Sequence, residues 1–175
     1  MILKPQDVVI LLKLVALGQE PWTYQRLAVD LSISQSEAHA GVRRAVAARL
    51  MSDASSAAGR PIVGALKEFL VHGVRYAYPP ERGELTRGMP TGYAAPPLDK
   101  LIVQPKEPPP VWPYAEGSVR GYKFSPLYSS VPAAASRDPV LYELLALLDA
   151  IRDGRARERS LAVQALEPRL AAAKR

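Results

Sequence analysis

Thr23-Tyr24-Gln25-Arg26-Leu27-Ala28-Val29-Asp30-Leu31, then Ser32-Ile33-Ser34, then Gln35-Ser36-Glu37-Ala38-His39-Ala40-Gly41-Val42-Arg43-Arg44-Ala45: the reading of this run decides the fold of the N-terminal part. Thr23 is a good N-cap, because its hydroxyl can accept from a backbone N–H of the first turn. Tyr24, Leu27, Ala28 and Leu31 then recur at helical spacing as far as Ser32-Ile33. Ser34 and Glu37 make the Ser-x-x-Glu pattern of a capping box, so the next helix opens at Gln35 and runs to about Leu50. Its inward positions are Ala38, Val42, Ala45 or Val46, and Leu50. Two short amphipathic helices joined by a tight turn are the sequence form of a helix-turn-helix.

Upstream, Pro5 suits the first turn of a helix reaching Leu17, with Val8, Leu11, Leu12 and Val15 as one buried stripe and Gly18 as the stop. Downstream, Ser52 to Gly59 reads as a loop, and a fourth helix spans about Pro61 to Val71 with Leu66, Phe69 and Leu70 inward. The runs Tyr24 to Ala28, Leu31 to His39, Val42-Arg43-Arg44-Ala45 and Leu50-Met51 resemble the winged helix-turn-helix of bacterial transcriptional regulators of the broad MarR-like or IclR-like type. The resemblance covers about residues 5–70. It implies that residues 35–50 include a recognition helix for the major groove of double-stranded DNA.

With Ala38, Val42 and Val46 turned inward, Gln35, Ser36, His39, Ala40 and Arg43 take the opposite surface. Gln can read adenine, Arg can read guanine, and Ser can bind phosphate or a base edge. Arg44 and Arg49 read as phosphate contacts or plain surface charges. The expected wing is missing directly after the third helix, so it is either absent or displaced and enlarged. Glu81 to Pro90 could form its tip, with Arg87 beside Gly88 entering a minor groove. The DNA-binding candidates are thus Gln35, Ser36, His39, Arg43, Arg44 and Arg87. The plainer alternative is a three-helix bundle, or a winged helix used for protein contacts, with the arginines on a solvated face.

Proline divides the 175 residues into parts: 12 of 17 prolines and six of eight tyrosines lie between residues 71 and 135. There Val74 to Tyr78 alternates like a half-buried strand, and a second β-like stretch lies within Val119 to Tyr128. A small two-strand ribbon anchoring an ordered or semi-ordered arm is one reading; disorder of residues 80–118 is the other. A C-terminal helical hairpin restarts at Asp138-Pro139, carries the stripe Leu141, Leu144, Leu145 and Leu148, and stops at Gly154. A last helix runs from about Arg155 to Glu167, where Pro168 limits or kinks it. The leucine stripe reads as a homodimer surface, which would set two recognition helices about 34 Å apart on a palindromic operator. Arg152, Arg155, Arg157 and Arg159, near Asp153 and Glu158, read as a salt-bridged surface or a contact for an acidic protein.

The fold class expected is therefore mainly α, in three parts. Residues 1–72 form a winged-helix-like helix-turn-helix, 73–135 a Pro/Tyr-rich arm with short strands, and 136–175 the C-terminal helices for dimerisation or partner binding. Net charge is +6, spread as 8 basic against 6 acidic side chains in residues 1–70, 7 against 5 in 71–135 and 8 against 6 in 136–175. That excess is compatible with a polyanion but does not single one out. Cysteine is absent, which excludes disulfides and thiolate chemistry. No apolar run reaches a membrane span of roughly 18 residues, and no cleavable leader pattern follows Lys4. A cytoplasmic protein is expected. Phosphate-binding loops, His-Glu-x-x-His and Gly-x-Ser-x-Gly are missing, and the two histidines make a poor metal set, so no enzyme, catalytic residue, metal or cofactor is expected. The function expected is sequence-specific regulation of a bacterial promoter. The alternative is an antitoxin-like or defence-associated adaptor that binds and restrains a partner protein.

Overall fold

The computed structural model describes residues 1–56 and 58–173 and is mainly α with a small sheet. Helix α1 (Pro5–Leu17) starts on proline and stops at Gly18, as its sequence dictates. One expectation changes here. Instead of a single inward stripe, Val8, Val9, Ile10, Leu11, Leu12 and Leu14 are all buried. A helix that is apolar on every side needs neighbours on every side. Helices α2 (Tyr24–Leu31) and α3 (Gln35–Ala47) supply one set, and α7 (Pro139–Asp153), which follows the short α6 (Val131–Ser136), another.

Helix α7 begins where Asp138 accepts from the Leu141 N–H at 3.1 Å, with Pro139 in the first turn. Its Leu141, Leu144, Leu145 and Leu148 are buried inside the chain's own core, against α1 and against α8 (Ala156–Ala172). The stripe that suggested a dimer surface therefore already has its partners within one chain. Pro168 lies inside α8, which continues past it to Ala172, so it does not limit the helix. Arg169 donates to the Ala165 carbonyl at 2.8 Å and pairs with Glu143 of α7.

One cation is sealed at the junction of α1, α2 and α7. Lys13 is 6% exposed and lies 3.0 Å from Asp30 and 2.8 Å from Asp138. Burial pushes the Asp138 carboxyl up, but the hydrogen bonds from Lys13 and the Leu141 N–H outweigh it and hold it below its ordinary value.

The expected strand at Val74 to Tyr78 is helical as far as Ala77. Helix α4 (Val63–Glu68) runs through a π turn (Phe69–Gly73) into α5 (Val74–Ala77). Val74 is buried while Tyr76, which alternation would have turned inward, is 77% exposed. Val74 and Tyr78 are spaced for a helix as well as for a strand, and the backbone took the helix. Tyr78 then reaches back to donate to the Leu3 carbonyl at 2.7 Å.

The Pro/Tyr-rich part holds three strands, β1 (Arg82–Pro90), β2 (Pro110–Pro113) and β3 (Val119–Phe124). Each strand pairs with both others, closing a minimal barrel. Strand β1 runs antiparallel to β2 and β3, while β2 and β3 are parallel. So the sheet has three strands, not two, and Glu81 to Pro90 is mostly strand rather than a turn. Closure this tight depends on glycine: a Cβ on Gly121 would lie 2.1 Å from the Pro109 carbonyl oxygen. Trp112 and Phe124 fill the side facing the helices. Asp149 of α7 fastens the sheet, accepting from Thr91, the Trp112 indole and Arg152, each at 2.7 Å. Arg152 is thus buried rather than part of a surface cluster, and it also donates to the Tyr78 carbonyl at 2.9 Å.

No described helix is long and apolar enough to cross a membrane. Two stability outcomes follow from the packing. Gly121→Ala sets a methyl against rigid backbone and lowers the unfolding free energy by about 1–3 kcal/mol. Gly64→Ala, at a helical site open to 4 Å, raises it by about 0.4–1 kcal/mol; urea titration reads both. Acid acts through Asp138. Its folded value is depressed, so its stabilising contribution is full above the ordinary 3.8 and lost as pH falls through the folded value. The urea midpoint of the native chain drops below about pH 4, and Asp138→Asn flattens that part of the curve.

Candidate nucleic-acid interface

The turn between α2 and α3 is built from local hydrogen bonds. Thr23 caps α2 by accepting from the Arg26 N–H at 3.0 Å. Ser32 ends it in the left-handed region with φ 53°, and the Ile33 N–H reaches the Ala28 carbonyl at 3.0 Å. Ser34 then caps α3 by accepting from the Glu37 N–H at 3.0 Å. Arg137, just before α7, spans the turn from outside. Its guanidinium donates to the Asp30 carbonyl at 3.1 Å and to the Ser32 hydroxyl at 2.7 Å.

Helix α3 is pressed onto α1 at Gly41, where a Cβ would lie 2.4 Å from Ile10 Cδ1 and 3.0 Å from an Asp7 oxygen. Beside that contact Arg44 grips Asp7 with two hydrogen bonds of 2.8 Å and also binds Glu37, which accepts from Gln6 as well. Asp7 is fully buried, and the Arg44 side chain is 11% exposed. The hydrogen bond to Asp7 raises the Arg44 guanidinium above its ordinary value against the cost of burial. Burial pushes Glu37 up, yet the hydrogen bonds from Arg44 and Gln6 win and leave it lower than usual. Arg44 therefore fastens α3 to α1. It does not stand on the outer surface as a phosphate contact, because Asp7 and Glu37 already occupy its donors.

The remaining α3 candidates come together as expected. Gln35, Ser36, His39 and Arg43 are all exposed, and Ala38, Val42 and Ala45 are buried behind them. Arg43 makes no ion pair among the described residues. The His39 ring packs against Tyr24 with centroids 4.9 Å apart, which fixes its direction. The helix ends earlier than Leu50: Arg49 turns left-handed at φ 61°, and the Leu50 N–H bonds back to the Ala45 carbonyl.

Directly after α3 the chain folds back on itself. Met51 bridges Pro61 in antiparallel fashion, the Ser52 N–H donates to the Arg60 carbonyl at 2.9 Å, and the Ile62 N–H to the Leu50 carbonyl at 2.8 Å. The Trp22 indole donates to the Gly59 carbonyl at 3.0 Å, and the Tyr24 hydroxyl donates to the Ala54 carbonyl. Burial, with help from Asp53 and against Arg43, raises the Tyr24 hydroxyl's pKa. Residues 50–52 and 60–62 thus pair directly after α3, where the sequence left the wing absent or displaced. The signal was slight: two apolar pairs, Leu50-Met51 and Pro61-Ile62, around a Ser/Ala/Gly tip.

Arg87 sits apart from this edge, in the middle of β1 and directly opposite Arg120 of β3. Comparison with protein-family models, with curated proteins and with solved structures returns no match.

The two neighbouring arginines of α3 separate cleanly by stability. Arg44→Ala leaves Asp7 buried without its counter-charge and costs about 3–5 kcal/mol of unfolding free energy. Arg43→Ala stays within about 0.5 kcal/mol. Urea unfolding of the two variants checks the difference.

Proposed function

We propose that the chain is a sequence-specific DNA-binding regulator of a bacterial promoter, with α3 entering the major groove. The observation that carries this reading is the polar edge Gln35, Ser36, His39 and Arg43, exposed together on a helix whose opposite side is locked to α1. Readout of base edges needs side chains of this kind on a rigid support. Support also comes from the antiparallel pairing of residues 50–52 with 60–62 directly after α3, the point in the chain at which a winged helix carries its wing. The free N–H groups of the first α3 turn add an attraction for a backbone phosphate.

The test is selection of duplexes from a random pool by the purified chain, followed by footprinting of the selected site. Arg43→Ala then weakens specific binding by about 1–3 kcal/mol and relaxes preference at a guanine position. Equal affinity for all duplexes, before and after the substitution, refutes base reading.

An adaptor that restrains a partner protein is the second reading. The observation that favours it is an open groove of about 550 Å³ between α5 and α8, bordered by His72, Arg75, Tyr76 and Arg159. Salt-insensitive co-purification with one protein at fixed stoichiometry, without duplex binding, would support it over the regulator.

A further inference from the structure

Strands β1 and β3 place two like charges face to face. Arg87 and Arg120 are cross-strand partners, both exposed, and neither makes an ion pair among the described residues. Like charges directly opposite in an antiparallel pair destabilise it. The strands hold them there over a concavity of about 320 Å³ that Thr86 and Ser118 also line.

We propose that this concavity is a phosphate-binding site, and that the phosphate is a backbone diester of bound DNA. Cβ atoms of directly opposed strand residues lie about 4.5–5.5 Å apart, so both guanidinium groups can close on one anion. Arginine presents a planar fork of donors that matches phosphate oxygens, and two such forks lie on the same face of the strand pair. A phosphate, with several acceptor oxygens, uses such a set more fully than a single carboxylate does. An anion held between the two guanidinium groups also offsets their mutual repulsion. The source of the phosphate rests on the DNA reading above; the site itself rests on the strand geometry alone.

The experiment compares the full chain with Arg87→Gln, Arg120→Gln and the double variant. Duplex affinity is measured across salt concentrations on the selected site. Each substitution lowers the slope of log K against log salt by about 0.9 and weakens binding on every sequence alike. Sequence preference, set by α3, does not move. Thermal melting checks folding: relief of repulsion leaves the melting temperature unchanged or higher. Unchanged affinity and slope in the double variant overturn the proposal. If the native chain binds no duplex at all, the α3 reading fails separately, and inorganic phosphate decides the site. Shifts of the Nε–Hε resonances of both arginines on titration with phosphate support it, and their absence overturns it.

Discussion

The fold depends on the burial of α1 from Asp7 to Val15. A helix this apolar cannot sit at a surface, so the elements on either side of it are held to one another through it. The contacts that orient it are ionic and lie near opposite ends. Asp7 receives Arg44 from α3, and Lys13 reaches Asp30 of α2 and Asp138 before α7. Breaking a buried pair leaves an uncompensated charge, so these contacts select one arrangement even where their net contribution to stability is small. The hydrophobic effect drives the helices together, and the charges set their register.

That arrangement explains the presentation of the α3 edge. A recognition surface needs its side chains on a rigid element. Gly41 lets α3 approach α1 closely, Arg44 fixes its rotation, and Arg137 holds the preceding turn from the side of α7. Of the exposed edge, only His39 is held by a neighbour, the Tyr24 ring. The proposed second contact lies on the sheet, whose shape is set by backbone pairing in three directions.

The helices were largely readable from sequence because their signals are local. Pro5, Thr23, Ser34 and Asp138 begin helices for reasons contained within one turn, and the leucine stripe of α7 marks a buried face without ambiguity. What covers that face is not local, and the intramolecular answer, α1 and α8, depends on contacts distant in sequence. The same limit explains Arg44 and Arg152: a surface arginine and a buried paired one look identical until Asp7 or Asp149 is brought beside it. In the middle part, Val74 to Tyr78 satisfies both periods, and proline obscured β1 and β2, whose pairings are non-local. For the α3 edge, Gln35, Ser36, His39 and Arg43 were legible because helical periodicity alone separates them from Ala38 and Val42. The pairing of Arg87 with Arg120 was not, since 33 residues separate them in sequence and strand register determines it.

Asp149 gives the molecule a thermodynamic property. One buried carboxylate accepts from Thr91, from Trp112 and from Arg152, and Arg152 in turn holds the Tyr78 carbonyl. Peeling the strands from α7 would break the hydrogen bonds from Thr91 and Trp112 to one charged acceptor together, each worth about 1.5–3 kcal/mol. Such an opening has no cheap halfway stage. Sheet and helices are coupled through this one buried group, although their sequences look like parts of different proteins.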